Sequence, residues 1–146
     1  MPPQLDEPDD ALSLAEELRP VLQRLLRQIR RESDTADVSL FQKLLLANIV
    51  QQPGIGVGEL ARLENLRGPT VSGHIKALLA MGLVTRGTPN EDRRRVGLVA
   101  TPQGQELIAS MRTQRTNWLA ERLRGLSPEA RQAIRNALQP LTEITR

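Results

Sequence analysis

Residues 68–101, GPTVSGHIKALLAMGLVTRGTPNEDRRRVGLVAT, decide the fold of the chain. The spacing predicts a helix over 69–81, since proline is favoured at a first helical position and Gly82 is suited to ending it. Two short strands, 83–87 and 95–101, are predicted to follow, and the second alternates apolar residues with period two. The stretch therefore predicts a helix joined to a β-hairpin.

The predicted helix 69–81 has one apolar face and one small polar face. At about 100° per residue, Val71, Ile75 and Leu78 share a side and are expected to pack inward. The opposite side carries Pro69, Thr70, Gly73, Lys76 and Ala77, with Ser72 and His74 on its flanks. Small residues let a helix enter a DNA groove, where hydroxyl, imidazole and ammonium groups can bond to base edges or phosphates. We interpret this face as a DNA-binding surface; an ordinary solvated face is the alternative.

A shorter helix before this one completes a helix-turn-helix. Residues 57–66 predict it, and a turn containing Gly68 separates it from helix 69–81. The apolar residues expected to face inward are Leu60, Leu63 and Leu66. The glycines of segment 51–58 suggest a nucleotide-binding loop, but Glu59 stands where that fingerprint requires its third glycine. We interpret the segment as a turn.

The loop of the predicted hairpin concentrates positive charge. Arg93, Arg94 and Arg95 are consecutive, and such a cluster is costly without an anion to neutralise it. We expect them, together with Arg86, to contact phosphates or to enter a narrow minor groove. Asp92 would repel a phosphate, so we expect it to orient one arginine through an ion pair. A solvated charged hairpin is the alternative.

The flanking segments predict four more helices. Residues 11–31 carry a broad apolar stripe suited to a partner chain, and Pro20 within it should kink or restart the helix. Residues 40–51 predict a mostly apolar and therefore buried helix. The last two helices are predicted at 102–124 and from 128 to about 141, each beginning with a proline.

Composition excludes several kinds of site. The 146-residue chain has no Cys, no Tyr and one His, which excludes disulfides, thiol chemistry and a histidine metal cluster within one chain. We expect no cofactor, no metal and no catalysis, since Ser72 and His74 are two residues apart on a helix and their side chains diverge. No apolar run approaches the roughly 20 residues of a membrane span, and no signal peptide is visible. We expect a soluble, cytoplasmic, nucleoid-associated protein without membrane contact.

Charge is distributed unevenly along the chain. Residues 1–37 hold nine acidic side chains and five arginines, net −4, whereas residues 38–146 hold fifteen Lys and Arg and eight acids, net +7. The net positive charge of residues 38–146 is suited to binding a polyanion, although an Arg-rich solvated surface would carry the same charge. We expect the acidic tail at 1–10 to be flexible, with residues 4–10 disordered and dispensable for DNA contact.

Segment 70–104 resembles the signature of the MarR family of bacterial transcription regulators. The shared positions are Thr70, Gly73, Leu78, Gly82, Leu83, Val84, Asp92, Arg93, Arg94, Thr101 and Gly104. Residues 126–141, LSPEARQAIRNALQPL, resemble the last helix of the family. Val71 and Leu79 occupy places where the family more often has other residues, a departure that leaves the expected fold intact.

The resemblance implies a mainly α fold with a small antiparallel β-wing. A winged helix-turn-helix lobe at 38–101 would lie between a dimerisation helix at 11–37 and dimerisation helices at 102–146. The implied function is a homodimeric repressor that binds a pseudo-palindromic operator in double-stranded DNA, with recognition helices in the major groove and wings in the minor groove.

The sequence is compatible with three further properties or alternative functions. Many family members release DNA on binding small, often aromatic or anionic, effectors, and Trp118 is a candidate for lining such a pocket, with core or dimer packing as its alternative role. A winged helix used for protein contact would need an apolar outer face on helix 69–81. A sequence-blind architectural protein would bind specific and random DNA equally.

Overall fold

The structure is a computed structural model that describes residues 9–34, 37–87 and 97–146. Its elements are α1 (Asp10–Arg31), α2 (Leu40–Gln51), α3 (Val57–Leu63), α4 (Gly68–Ala80), β1 (Val84–Arg86), β2 (Leu98–Ala100), α5 (Pro102–Arg124) and α6 (Pro128–Ile144). The two strands are antiparallel. The expected fold class is therefore confirmed. Most of the expected acidic tail lies outside the described residues, while Asp10 belongs to α1.

Backbone contacts divide the chain into two compact units. The central unit comprises residues 35–113, and the terminal unit comprises the residues up to 34 together with 114–146. The boundary at 113/114 falls within α5, so this helix contributes residues to both units.

α1 runs without interruption through Pro20, so the helix does not restart there. The Asp9 carboxylate begins it by accepting a hydrogen bond from the amide of Ala11 at 3.2 Å. Proline removes a single backbone donor from this 22-residue helix, and the remaining hydrogen bonds keep the helix continuous.

The core of the central unit is formed by α2, α3, α4 and the strands, with part of α5 packed against them. Its most deeply buried side chains are Leu45, Leu46, Ile49, Leu60, Val71, Ile75, Leu78 and Leu98. The prediction that Val71, Ile75 and Leu78 face inward is confirmed. Burying a side chain of this size stabilises the fold by roughly 1.5–3 kcal/mol, so these three fix the rotation of α4 about its axis.

Two burial predictions for the neighbouring helices are wrong. α2 is buried on one side only, because Leu40, Phe41 and Leu44 are 40–50% exposed. Leu63 is 55% exposed because α3 ends at this residue, and the chain then turns through Asn65, whose φ is +51°.

β2 is hydrogen-bonded on both of its edges. On one side Val84 lies opposite Ala100 in the pairing with β1. On the other side the carbonyl of Leu98 accepts from the amide of Gly54 at 2.8 Å, and the amide of Leu98 donates to the carbonyl of Ile55 at 2.9 Å. The segment interpreted as a turn from its glycines therefore also extends the sheet.

The start of α5 is tied to the end of α4 through Thr101. The hydroxyl of Thr101 donates to the carbonyl of Gly82 at 2.6 Å and accepts from the amide of Gly104 at 3.1 Å, so it caps α5. Gly82 ends α4 with a φ of +72°, as predicted. These bonds fix the direction in which the chain leaves α4.

The terminal unit leaves much apolar surface uncovered in the single chain. Neither α1 nor α6 has a buried residue. The exposed apolar side chains of these two helices include Leu14, Val21, Leu22, Leu25, Leu26, Ile134 and Leu138. Such a stripe is wider than a helix exposed to water on all sides would carry.

One polar contact joins α5 to the end of α1 within the terminal unit. Arg115 Nε donates to the hydroxyl of Ser33 at 2.8 Å, and Ser33 is only 1% exposed. Burial, and then the neighbouring guanidinium of Arg30, lower the pKa of Arg115 below its ordinary value. Over the described ranges, no helix is both long and apolar enough to cross a membrane.

Candidate nucleic-acid interface

α4 presents a small polar surface opposite its buried face. The exposed members of the predicted set on this helix are Pro69, Thr70, Ser72, Gly73 and Lys76, whereas His74 and Ala77 are half-buried. A Cβ atom built on Gly73 would meet nothing within 4 Å. The backbone of α4 is therefore bare at the centre of the exposed face, which permits a close approach to the floor of a groove.

The first turn of α4 adds a cation that the sequence interpretation missed. Arg67 is the N-cap residue, is exposed, and makes no capping hydrogen bond with its side chain. The N-terminal end of a helix carries a partial positive charge, which an arginine beside it increases. Arg67 directly precedes Gly68 and Pro69, the pair that predicts the start of the helix, so its place at the helix N-terminus could have been predicted from the sequence.

Contacts with α2 hold the helix-turn-helix from one side. Asn48 Nδ2 donates to Glu64 Oε1 at 2.6 Å, which ties α2 to the end of α3. The ring of Phe41 stacks on the imidazole of His74, with 5.9 Å between centroids and 21° between planes. The half-exposed Phe41 side chain therefore lies beside the recognition helix and not in the core, a placement that no local pattern indicates.

The base of the hairpin belongs to the same unit as α4. Arg86 is exposed at the end of β1, opposite Leu98, and the amide of Gly87 donates to the carbonyl of Gly97 at 2.7 Å. Four predicted site residues of the loop lie outside the described residues, namely Asp92, Arg93, Arg94 and Arg95.

Two further features bear on ligands. In the central unit, a groove of about 590 Å³ is lined by Asp37, Val38, Met81, Leu83, Gln103, Glu106, Leu107 and Ser110. Trp118 lies in the terminal unit and is not among these residues; the Arg122 guanidinium lies 5.4 Å from its ring centroid. The Trp118 Nε1 atom is buried and has no hydrogen-bond partner among the described residues. The described ranges contain no group of three or more His, Asp or Glu able to hold a metal ion.

The chain is similar to known transcription regulators along nearly its whole length. The model of the MarR family matches residues 38–96. The uncharacterised HTH-type transcriptional regulator ML2140 of Mycobacterium leprae is 33% identical over 136 residues, which cover 93% of this chain and 95% of that protein.

Solved structures show the same architecture. A transcriptional regulator from Thermotoga maritima has a TM-score of 0.73 and 26% identity, over 88% of this chain and 94% of that chain. A mutant of S. aureus MepR bound to an oligodeoxyribonucleotide has a TM-score of 0.67 over 91% of this chain and 98% of that chain; at 19% identity it supports the fold alone.

Proposed function

The chain belongs to the MarR family of transcription regulators, and we propose from this premise that it is a homodimeric repressor of a pseudo-palindromic operator. Its relatives are regulators and not enzymes, in agreement with the expected lack of catalysis. The observation that carries the proposal is α4, whose three buried residues turn a small, polar and cationic face outward. Such a face suits the major groove.

The proposed contacts divide by the part of DNA that they meet. Thr70, Ser72, Gly73 and His74 are proposed to contact base edges or the DNA backbone from α4, and Pro69 lies at the start of the same face. Lys76, Arg86, Arg93, Arg94 and Arg95 are proposed to neutralise phosphates or enter the minor groove, with Asp92 orienting one arginine. Base contacts supply specificity, whereas phosphate contacts position the protein and make the affinity depend on salt.

A selection from random genomic fragments, followed by competition against random-sequence DNA, tests this function. We expect recovery of a pseudo-palindromic site with half-sites about one helical turn apart, roughly 10 bp. Specific affinity should exceed random-sequence affinity by at least about 10³-fold. Equal affinities would support an architectural protein instead, and recovery of no fragment would support a protein-binding winged helix.

The exposed apolar stripes of α1 and α6 support a homodimer, since a second copy of the chain would cover them. We predict that Leu138→Glu, in α6, converts a dimer into a monomer and removes operator affinity, because the carboxylate would be buried in the interface. Light scattering at a fixed protein concentration measures the mass. Leu63→Glu, at a leucine of similar exposure in the central unit, should leave the dimer mass unchanged. A monomeric wild-type chain would contradict the proposal.

We also predict that Arg94→Ala weakens binding to every sequence while the fold and the dimer are preserved. Loss of one phosphate-binding cation should flatten the slope of log affinity against log salt by about one unit. Fluorescence anisotropy titrations at several salt concentrations measure this slope. Arg24→Ala, in α1, removes the same charge far along the sequence and should not change it. An unaltered slope for Arg94→Ala would show that Arg94 does not contact phosphate.

We further propose that a small effector releases the protein from DNA. A ligand that prefers one spacing of the two α4 helices would shift the dimer toward the state with that spacing. The groove in the central unit is the candidate site, since Met81 and Leu83 follow directly on α4. Its carboxylates, Asp37 and Glu106, would repel an anion, so an aromatic ligand without negative charge is favoured there.

A further inference from the structure

The stacked pair formed by Phe41 and His74 lies at the side of the recognition helix. Phe41, in the first turn of α2, is 49% exposed, and His74 is half-buried on α4. Their centroid distance of 5.9 Å and interplanar angle of 21° fall within the range of offset aromatic stacking. One face of the imidazole is therefore held by a ring that is itself partly exposed to solvent.

The edge of the imidazole is available for a further partner. Within the part of the chain that the structure describes, neither ring nitrogen of His74 has a hydrogen-bond partner. A neutral imidazole offers one N–H donor and one acceptor, and losing water from these atoms is unfavourable unless another polar group replaces it. The imidazole is fixed by stacking on Phe41, and its edge is unbonded, so it is suited to donating a hydrogen bond to an acceptor outside the chain.

The position of His74 on α4 indicates which acceptor this is. Gly73 lies at the centre of the exposed face, and His74, one residue further, is rotated by about 100° toward α2. When a helix occupies the major groove, base edges face its outward side and the sugar-phosphate strands run along its flanks. A donor on the flank therefore reaches a phosphate oxygen and not a base.

We propose that His74 donates a hydrogen bond to a DNA phosphate at the edge of the groove, and that Phe41 is the positioning residue that fixes the imidazole for this contact. The inference rests on the proposed DNA binding by α4. Without the stack, the His74 side chain would lose rotational freedom on binding, and the affinity would fall by about threefold to tenfold. The proposal extends the DNA-binding surface from the helix-turn-helix to the first turn of α2.

Anisotropy titrations on the selected operator and on a random fragment test the proposal. Phe41→Leu and His74→Ala should each lower the affinity for both fragments by about threefold to tenfold, leaving their ratio unchanged. Phe41→Tyr, which keeps the ring, should bind as the wild type does. In the His74→Ala background, Phe41→Leu should have no further effect, because Phe41 acts through His74. Leu40→Ala, at a neighbour of equal exposure, is the matched control and should leave affinity unchanged.

A spectroscopic measurement separates positioning from general support of the fold. The chain has a single His, so its imidazole protons give one assignable pair of NMR resonances. Phe41→Leu removes the aromatic ring current and should shift these resonances, whereas Leu40→Ala should not. Leucine is a strong helix former and Phe41 is half-exposed, so the variant should fold.

Several outcomes would overturn the inference. Additive losses in the double variant would show that Phe41 acts independently of His74, and a lower operator-to-random ratio for His74→Ala would show a base contact. Unshifted imidazole resonances in Phe41→Leu would exclude the stack. If the wild type binds DNA and all these variants bind equally well, only this inference fails; if the wild type binds no DNA, the proposed function fails with it.

Discussion

Gly73→Glu is expected to abolish high-affinity DNA binding while leaving the fold of the chain intact. A Cβ atom at position 73 meets nothing within 4 Å, so the new side chain extends into solvent. Replacing a glycine in a helix interior should even raise the free energy of unfolding by about 0.5–1 kcal/mol. In the groove, however, the carboxylate would face phosphates and hold the α4 backbone away from the bases. We expect the operator affinity to fall by at least about 100-fold.

Thermal unfolding and anisotropy titration of the same samples separate these two effects. Gly73→Ala is the matched control, because it brings the same gain in helix propensity without charge or length. Its affinity should stay within about tenfold of the wild type. Wild-type affinity in Gly73→Glu would show that the exposed face of α4 does not enter DNA, and the proposed function would then lose the observation that carries it.

Gly104→Ala is expected to lower the free energy of unfolding by about 3 kcal/mol. Gly104 is buried in the first turn of α5, and a Cβ atom there would overlap the carbonyl oxygen of Leu83. That carbonyl is held in place because it accepts a hydrogen bond from the amide of Thr101 at 3.0 Å. The backbone fixes the position of the Cβ atom and the oxygen that it meets is a backbone atom, so neither can rotate away, and the start of α5 must shift from Leu83.

The melting temperature of Gly104→Ala should fall by roughly 10 °C. Gly58→Ala provides the control, since Gly58 also lies in a helix but a Cβ atom there meets nothing within 4 Å. That variant should be as stable as the wild type or more stable by up to about 1 kcal/mol. Equal melting temperatures for the two variants would show that the close approach of Gly104 to Leu83 is absent in solution.

The recognition helix was predictable because its local and long-range signals agree. Three features specify the same helix, namely a proline near its start, Gly82 at its end and the periodic spacing of Val71, Ile75 and Leu78. The structure buries the last three residues. Once the inward side of a helix is known, its outward side follows from geometry. The exposure of Thr70 and Gly73 could therefore be predicted without any contact information.

The burial of α2 could not be predicted in the same way. Its residues are mostly apolar all round, and such a pattern does not tell which side lacks a neighbour within the chain. Leu40, Phe41 and Leu44 are exposed because the core of the central unit covers only the opposite side of α2. The pairing of Phe41 with His74 joins residues far apart in sequence, so no spacing rule could indicate it. The roles of Arg93, Arg94 and Arg95 stay predictions.

The two-sided hydrogen bonding of Leu98 has a consequence for how regulators of this kind diversify. The amide of Leu98 is bonded to Ile55 and its carbonyl to Gly54, and β2 is paired with β1. The two strands on either side of the arginine-rich segment 88–96 are therefore held by bonds that do not involve that segment. Neither insertions nor charge changes in that segment remove these bonds. Insertions cost little loop-closure entropy, because this cost grows slowly with loop length. Selection can thus vary the length and charge of this segment between paralogues while the bonds between β1, β2 and residues 54–55 are inherited unchanged.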